Sequence, residues 1–379
     1  MIKVMRSAAD ASVSWSRKPR PTSRMGLGTA VLLFLAAAVI VALLVLSATE
    51  DLLAWDVRFA YLPAAEAVLD GHSPYPALDD PILEDQKGYV YPPQLVLALV
   101  PFTWLPIDVV AVVFGLGLLA LVGLTLYVLE VRDIRCYAAA VLWVPTISGV
   151  LLGNLSIPLA LALALVWRYR ERVWPPAVSL GLSVSAKLVL WPMFVWMIAT
   201  RRVRASLGAI AIGVAVTLAA WAVIGFAGFV SYPDLVRRLS EIQAENSYSL
   251  VGMASTAGLG DAVGHALTLL VGGGLLAACV LLARRGDDVR SFTCAVVATL
   301  ALSPIVWLHY LVVLLVPIAI SRPRFTPLWL LPVLLWLSPK PGYADGYEAF
   351  APAIVASILV VALLYRRRPR EREIVEAPA

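Results

Sequence analysis

Apolar runs, several about as long as a bilayer is thick, recur from Gly26 almost to Tyr365, and charged residues are confined to brief islands between them. In hydrocarbon every backbone N–H and C=O must be hydrogen-bonded within the protein, and a run of about 20 apolar residues meets that condition as a helix. The pattern therefore predicts an all-α integral membrane protein. Charged residues make up 15% of the chain, against roughly 25% in a soluble globular domain, and that balance excludes a water-soluble fold. The first run, 26–49, is longer than the apolar core of a signal peptide and reads as a retained transmembrane helix.

With the charge islands taken as loops, spans fall near 27–48, 107–129, 136–151, 155–168, 174–186, 188–199, 207–228, 265–283, 290–302, 306–320, 326–337 and 350–365, about twelve transmembrane helices. The shortest read either as spanning or as re-entrant and interfacial. Lysine and arginine favour the cytoplasmic side, and this layout puts 24 of the 30 there, leaving Arg58, Lys87, Lys187, Arg237, Arg238 and Lys340. A basic cytoplasmic segment (1–26) and a cytoplasmic tail (366–379) then flank a membrane domain (27–365), with a large first outer loop at 49–106, a second at 229–264 and a shorter one at 338–349. The apolar, proline-bounded stretch 91–106 lies along the outer interface, because a crossing there would invert every later loop. The net charge of +5 sits beside the spans, where its partner is membrane lipid and not nucleic acid. Cys136, Cys279 and Cys294 lie far apart in apolar segments, without metal-ligand spacing, and read as packing residues.

Polar residues at the predicted outer ends of the spans are the candidates for chemistry. Asp56 follows the first span closely; it is either a base that takes the proton of a reacting hydroxyl or a loop acid paired with Arg58. Asn154 stands at the outer end of a helical hairpin, where it reads substrate hydroxyls or caps a helix. Lys187 is the only charge between Arg172 and Arg201, and an ionisable group in so apolar a stretch is a candidate phosphate ligand, with snorkelling to the interface as the alternative. His309, one turn into a span, either hydrogen-bonds a leaving phosphate or is a structural histidine. Tyr75, Tyr89 and Tyr91 lie among prolines in a rigid turn; they form an interfacial aromatic belt or a platform for a sugar or prenyl chain. The joint feature is that a topology drawn from lysines and arginines alone places Asp56, Asn154, Lys187 and His309 at one leaflet. A transporter or flippase would share the spans and the lysine, but it would also show acids near the midplane and related halves, and neither is legible here.

Between about residues 50 and 320 the chain carries, in order, Asp56 to Tyr61 with Ala64-Ala65, Gly71 with Pro74-Tyr75, Tyr89 to Pro93, Gly153-Asn154, Ala186-Lys187 with Pro192, Ser249 to Gly252, and Ser303-Pro304 with Trp307 and His309-Tyr310. This order resembles glycosyltransferase family 87, the polyprenol-phosphate-mannose-dependent alpha-1,2-mannosyltransferases of actinobacteria. The resemblance implies a C-type glycosyltransferase fold with its active site on the outer face of the cytoplasmic membrane. It also implies a polyprenyl-phosphate-mannose donor, a lipid-linked glycan acceptor, no nucleotide-binding domain, no cofactor and no obligatory metal. Carried onto this sequence, it makes Asp56 the catalytic base. It sets Lys187, His309 and Arg58 toward the donor phosphate, and Tyr61, Tyr75, Tyr89, Tyr91, Asn154 and Trp307 toward the substrates. Two departures bear on donor and acceptor preference: the family commonly has a Gln between Gly153 and Asn154, and often a second His where Tyr310 stands.

Overall fold

A computed structural model describes residues 26–49, 52–243, 247–338 and 350–365. The basic segment 1–25, the tail 366–379 and parts of the three expected outer loops (50–51, 244–246 and 339–349) lie outside the described residues. Among the described residues the chain forms helices and no strand. α1 (Leu27–Thr49) is followed by α2 (Leu62–Leu69) and α3 (Pro93–Leu99) in the first loop, and then by α4 (Ile107–Val128). Five short helices come next: α5 (Ile134–Leu142), α6 (Val144–Leu152), α7 (Ser156–Arg168), α8 (Trp174–Ala186) and α9 (Pro192–Ala199). The long α10 (Val203–Val223) leads to α11 (Tyr232–Gln243) and α12 (Leu250–Thr256) in the second loop. α13 (Asp261–Arg284), α14 (Asp288–Ala301), α15 (Leu315–Ser321) and α16 (Phe350–Leu364) complete the order.

All twelve expected apolar segments coincide with helical structure, but their lengths differ. Among the described residues α1, α4, α10 and α13 are long and apolar enough to cross a membrane alone, and α5 with α6, bent by 62°, make a fifth if taken as one span. The 13 residues of α7 reach only about 20 Å, against a hydrocarbon core of about 30 Å. The breaks have local causes. Trp143 is extended between α5 and α6, and Pro145 lacks the N–H that would continue the ladder. Lys187 is extended at the end of α8 and is followed by a 3-10 turn, Leu188–Leu190, and Pro192. The span expected at 306–320 opens with a 3-10 run, Leu308–Leu314, before α15. Proline and extended residues thus convert continuous apolar runs into bent or broken ones.

Close backbone contact holds α8 to α10: a Cβ on Gly181 would lie 2.7 Å from the Ala209 carbonyl oxygen, and one on Gly213 3.2 Å from that of Gly181. Small residues allow such approach where lipid supplies no hydrophobic drive between helices. α13 instead turns apolar side chains outward, with Leu269 and Leu270 largely exposed, as suits a lipid-facing helix.

The arginine islands 168–172, 201–204 and 284–290 meet at one end of the bundle. Arg170 Nε donates to Asp288 Oδ2 at 3.0 Å, while Arg202 reaches both oxygens of Asp288, at 3.1 and 3.0 Å, and Glu171 at 2.8 Å. Arg290 closes on Asp287 at 2.5 Å. A cavity of about 510 Å³ opens here, lined in part by Trp167, Arg170, Arg285, Asp287 and Arg290. Arg170 and Arg290 are ion-paired here, whereas the buried, unpartnered nitrogens of Lys187 and His309 lie at the other end of α7 and α8.

Candidate active site

Beyond α1 the chain makes a tight turn in which Ala54, fully buried, has φ 56°, a left-handed conformation that a non-glycine residue adopts only under packing constraint. Asp56 then leads into a π-helical turn, Val57–Tyr61. In an α-helix a residue five positions on points about 140° away; the wider π turn brings it nearly overhead. Accordingly Tyr61 Oη donates to Asp56 Oδ2 at 3.1 Å.

A second segment reaches the same oxygen. α6 ends at Gly153, whose φ of 69° suits glycine, and a Cβ there would lie 2.8 Å from Val57 Cγ2 and 3.1 Å from Ala54 Cα. This close approach delivers Asn154, whose Nδ2 donates to Asp56 Oδ2 at 2.9 Å and to Tyr91 Oη at 3.2 Å. Asn154 Oδ1 accepts from the Ser156 hydroxyl at 3.0 Å and its N–H at 3.2 Å, which orients the amide. Asn154 therefore ties the first residue of α7 to the candidate base.

The break after α8 turns Lys187 inward. Its Nζ lies 3.6 Å from the Tyr310 ring centroid and 5.5 Å from that of Tyr91, and it is buried without a hydrogen-bond partner. His309, buried beside Tyr310 with ring centroids 5.0 Å apart, has an Nε2 in the same condition. Buried polar atoms are ordinarily bonded, so two unpartnered nitrogens flanking one tyrosine form a site suited to an anion. Burial pushes the Asp56 carboxyl up to about 6, against the hydrogen bonds of Asn154 and Tyr61 and the charge of Lys187, which pull it down. A carboxylate with that affinity exchanges its proton near neutral pH.

Other sequence candidates make no recorded hydrogen bond to Asp56 or Lys187, although the Tyr89 ring contacts those of Tyr61 and Tyr91. Arg58 is buried, donates from Nε to the Leu53 carbonyl at 3.0 Å and pairs with Asp108 at 2.8 Å. Asp108 is thus a partner of Arg58, and among the described residues no ion pair joins Arg58 to Asp56. Tyr89 Oη donates to the Pro92 carbonyl at 2.6 Å and Tyr75 Oη to that of Tyr91 at 3.2 Å, so both brace the turn that carries Tyr91. Trp307 is half-buried, and its carbonyl accepts from the Tyr310 N–H at 2.9 Å.

Two residues were not singled out as site residues by sequence. Tyr310 gives the Lys187 amine an aromatic face. Gln94 donates from Nε2 to the Ser185 carbonyl, two residues before Lys187, and its Oε1 is buried without a partner. The available signal was that Gln94 carries the one amide side chain in the apolar stretch 91–106.

Comparison with known proteins bears on this arrangement. Residues 89–304 match glycosyltransferase family 87. A Mycolicibacterium smegmatis protein described as a polyprenol-phosphate-mannose-dependent alpha-(1-2)-phosphatidylinositol mannoside mannosyltransferase is 24% identical over 315 residues, 73% of this chain and 68% of its own length. A Mycobacterium tuberculosis protein of the same description is 23% identical over 345 residues, 76% of this chain and 81% of its own. A second M. smegmatis relative, described as a pentamannoside mannosyltransferase of the same donor dependence, is 26% identical over 299 residues, covering 73% and 68%. No solved structure matches the chain. The family match spans more than half of the sequence, and with several apolar helices capable of crossing a bilayer it shows that this multi-pass membrane protein belongs to glycosyltransferase family 87 and is a glycosyltransferase.

Proposed function

We propose that the chain moves a mannosyl unit from a polyprenyl-phosphate donor to a lipid-linked glycan acceptor at the outer face of the cytoplasmic membrane, with inversion at the anomeric carbon. The observation that carries this reading is the convergence of Asp56, Asn154, Tyr91, Lys187 and Tyr310, from distant segments, into one connected group. The donor and acceptor named for the relatives, polyprenol phosphate mannose and phosphatidylinositol mannosides, support the substrate classes. In this reading the shorter helices complete about twelve crossings, both termini are cytoplasmic and the loop 49–106 faces outward.

Both recorded hydrogen bonds to Asp56 fall on Oδ2, which leaves Oδ1 to take the proton of the acceptor hydroxyl. The hydroxyl oxygen forms its bond to the anomeric carbon from the face opposite the phosphate, and polyprenyl phosphate departs with the electron pair of the broken bond. Lys187 Nζ and His309 Nε2 meet the charge gathering on that phosphate, in surroundings dry enough for such contacts to be strong. Tyr61 and Asn154 hold the carboxylate in place.

The test is transfer of radiolabelled mannose from polyprenyl-phosphate-mannose to a lipid acceptor, by membranes carrying wild type or Asp56→Asn at equal levels. Loss of about 10²–10⁴-fold in the variant is expected of a general base. Full activity in the variant removes Asp56 from that role, and no transfer by the wild type removes the donor assignment.

A further inference from the structure

Asp56 and Lys187 face the same small space with opposite charge, yet no ion pair joins them among the described residues. The recorded hydrogen-bond partners of Asp56 are Tyr61 and Asn154, and Lys187 Nζ has none. Attraction between an acid and an amine grows as water is excluded, so two such groups stay apart only if something rigid holds them apart. Tyr91 is in position to do so. Its hydroxyl accepts from the Asn154 amide that also binds Asp56, its ring centroid is 5.5 Å from Lys187 Nζ, and its ring meets that of Tyr61 edge-on at 5.5 Å.

The backbone under Tyr91 is unusually constrained. Three consecutive carbonyls, those of Val90, Tyr91 and Pro92, accept hydrogen bonds from Tyr232, Tyr75 and Tyr89 at 3.0, 3.2 and 2.6 Å. Pro92 and Pro93 fix the backbone just beyond. On the other side of the amine the Tyr310 ring, 3.6 Å away, completes a cage that offers no carboxylate.

We propose that Tyr91 is a positioning residue, an aromatic spacer that keeps Asp56 and Lys187 from closing into an ion pair, so that the carboxylate stays available to a proton and the ammonium to an anionic leaving group. This rests on the reading of Asp56 as base and Lys187 as phosphate ligand. A contact pair would weaken both at once, since a neighbouring cation lowers a carboxylate's proton affinity and the carboxylate neutralises the cation. The titratable and polar groups around Asp56 are Tyr61 on its own turn, Asn154 before α7, Tyr91 before α3, Lys187 after α8 and Tyr310 before α15, with His309 facing Lys187 and Arg58 bonded to Asp108. Lys187 is the cation that removal of the Tyr91 ring would release toward Asp56.

The experiment is the pH profile of kcat/KM for mannosyl transfer by the full-length protein, comparing wild type, Tyr91→Phe and Tyr91→Ala, the last also combined with Lys187→Met. Tyr91→Phe keeps the ring and should leave the acid limb within a few tenths of a pH unit. Tyr91→Ala should move the limb to lower pH by about one unit or more, the size expected of a new opposite charge in contact. Adding Lys187→Met should move it back. Where Tyr91→Ala is not recovered folded, Tyr91→Val gives the same readout. An acid limb that stays in place in the small-residue variant, or a downward shift that survives Lys187→Met, overturns the spacer. That result leaves Asp56 as base untouched, because the base is judged separately by Asp56→Asn.

Discussion

At the arginine-rich end of the bundle Arg170 and Arg202 close on Asp288, and Arg290 on Asp287, whereas at the other end Asp56 has no recorded cationic partner and the side-chain nitrogens of Lys187 and His309 are buried without hydrogen bonds. α7 and α8 run between the two ends, about 20 Å long each. Pairing stabilises the first end, where Arg170, Arg202 and Arg290 are balanced by Asp287 and Asp288. The second holds its groups in an unfavourable condition that a substrate phosphate and hydroxyl would relieve. The same residue types therefore serve structure where they meet one another and point to chemistry where rings and backbone hold them apart.

The comparison is broken most severely by Lys187→Met. Transfer should fall about 10²–10³-fold, while thermal stability holds or rises, because an unpaired buried amine is replaced by an apolar side chain of similar length. A melting curve recorded with the transfer assay checks both signs. Gly153→Ala should come next. Its Cβ would press on Val57 and Ala54 and displace Asn154, so a loss of about 10–100-fold is expected from misplacement alone, read as transfer at equal expression.

Asn154→Ala sharpens the comparison through pH. Because Asp56 must be ionised to act as base, wild-type activity should rise with pH through about 6. The Asn154 hydrogen bond favours the ionised form, so its loss raises the proton affinity of Asp56 and moves the acid limb to higher pH, which a rate profile will show. Smallest in effect on catalysis is Asp288→Asn at the paired end. Arg170 and Arg202 lose their shared carboxylate, at roughly 1–2 kcal/mol in stability, and transfer per folded molecule should stay within about twofold of wild type. A large catalytic loss there would dissolve the distinction between the two ends.

Much of the candidate site was legible in sequence because an isolated charge in an apolar run is conspicuous. Lys187 stands out in that way and Asp56 by its place just after the first span, and the lysine and arginine pattern puts both at one expected leaflet. Arg58 was less readable. It lies two residues from Asp56, and Asp108, fifty residues on, is a partner, a pairing that only the approach of α4 to the first loop creates. Tyr75 and Tyr89 read in sequence as an aromatic belt or a platform, and the bonds of their hydroxyls to backbone carbonyls are visible only in the fold. Tyr310 is legible in sequence only as a departure from the family pattern, and the contacts that bring it and Gln94 to the site, with Lys187 and with the Ser185 carbonyl, join segments distant in sequence. The break at Lys187 coincides with the expected boundary between 174–186 and 188–199, whereas the extended Trp143 interrupts the expected span 136–151, whose hydropathy is continuous.

The sequence by itself determined that this protein is helical and lies in a membrane, because backbone hydrogen bonding in hydrocarbon depends on the length and apolarity of each run and on little else. It also determined the family, through the order of short motifs. Tertiary structure alone decided which polar groups touch. Asp56 and Asn154 are 98 residues apart, and their contact depends on a left-handed glycine seated against a strained turn. That contact is set by shape complementarity between distant segments, which no local pattern of residues encodes.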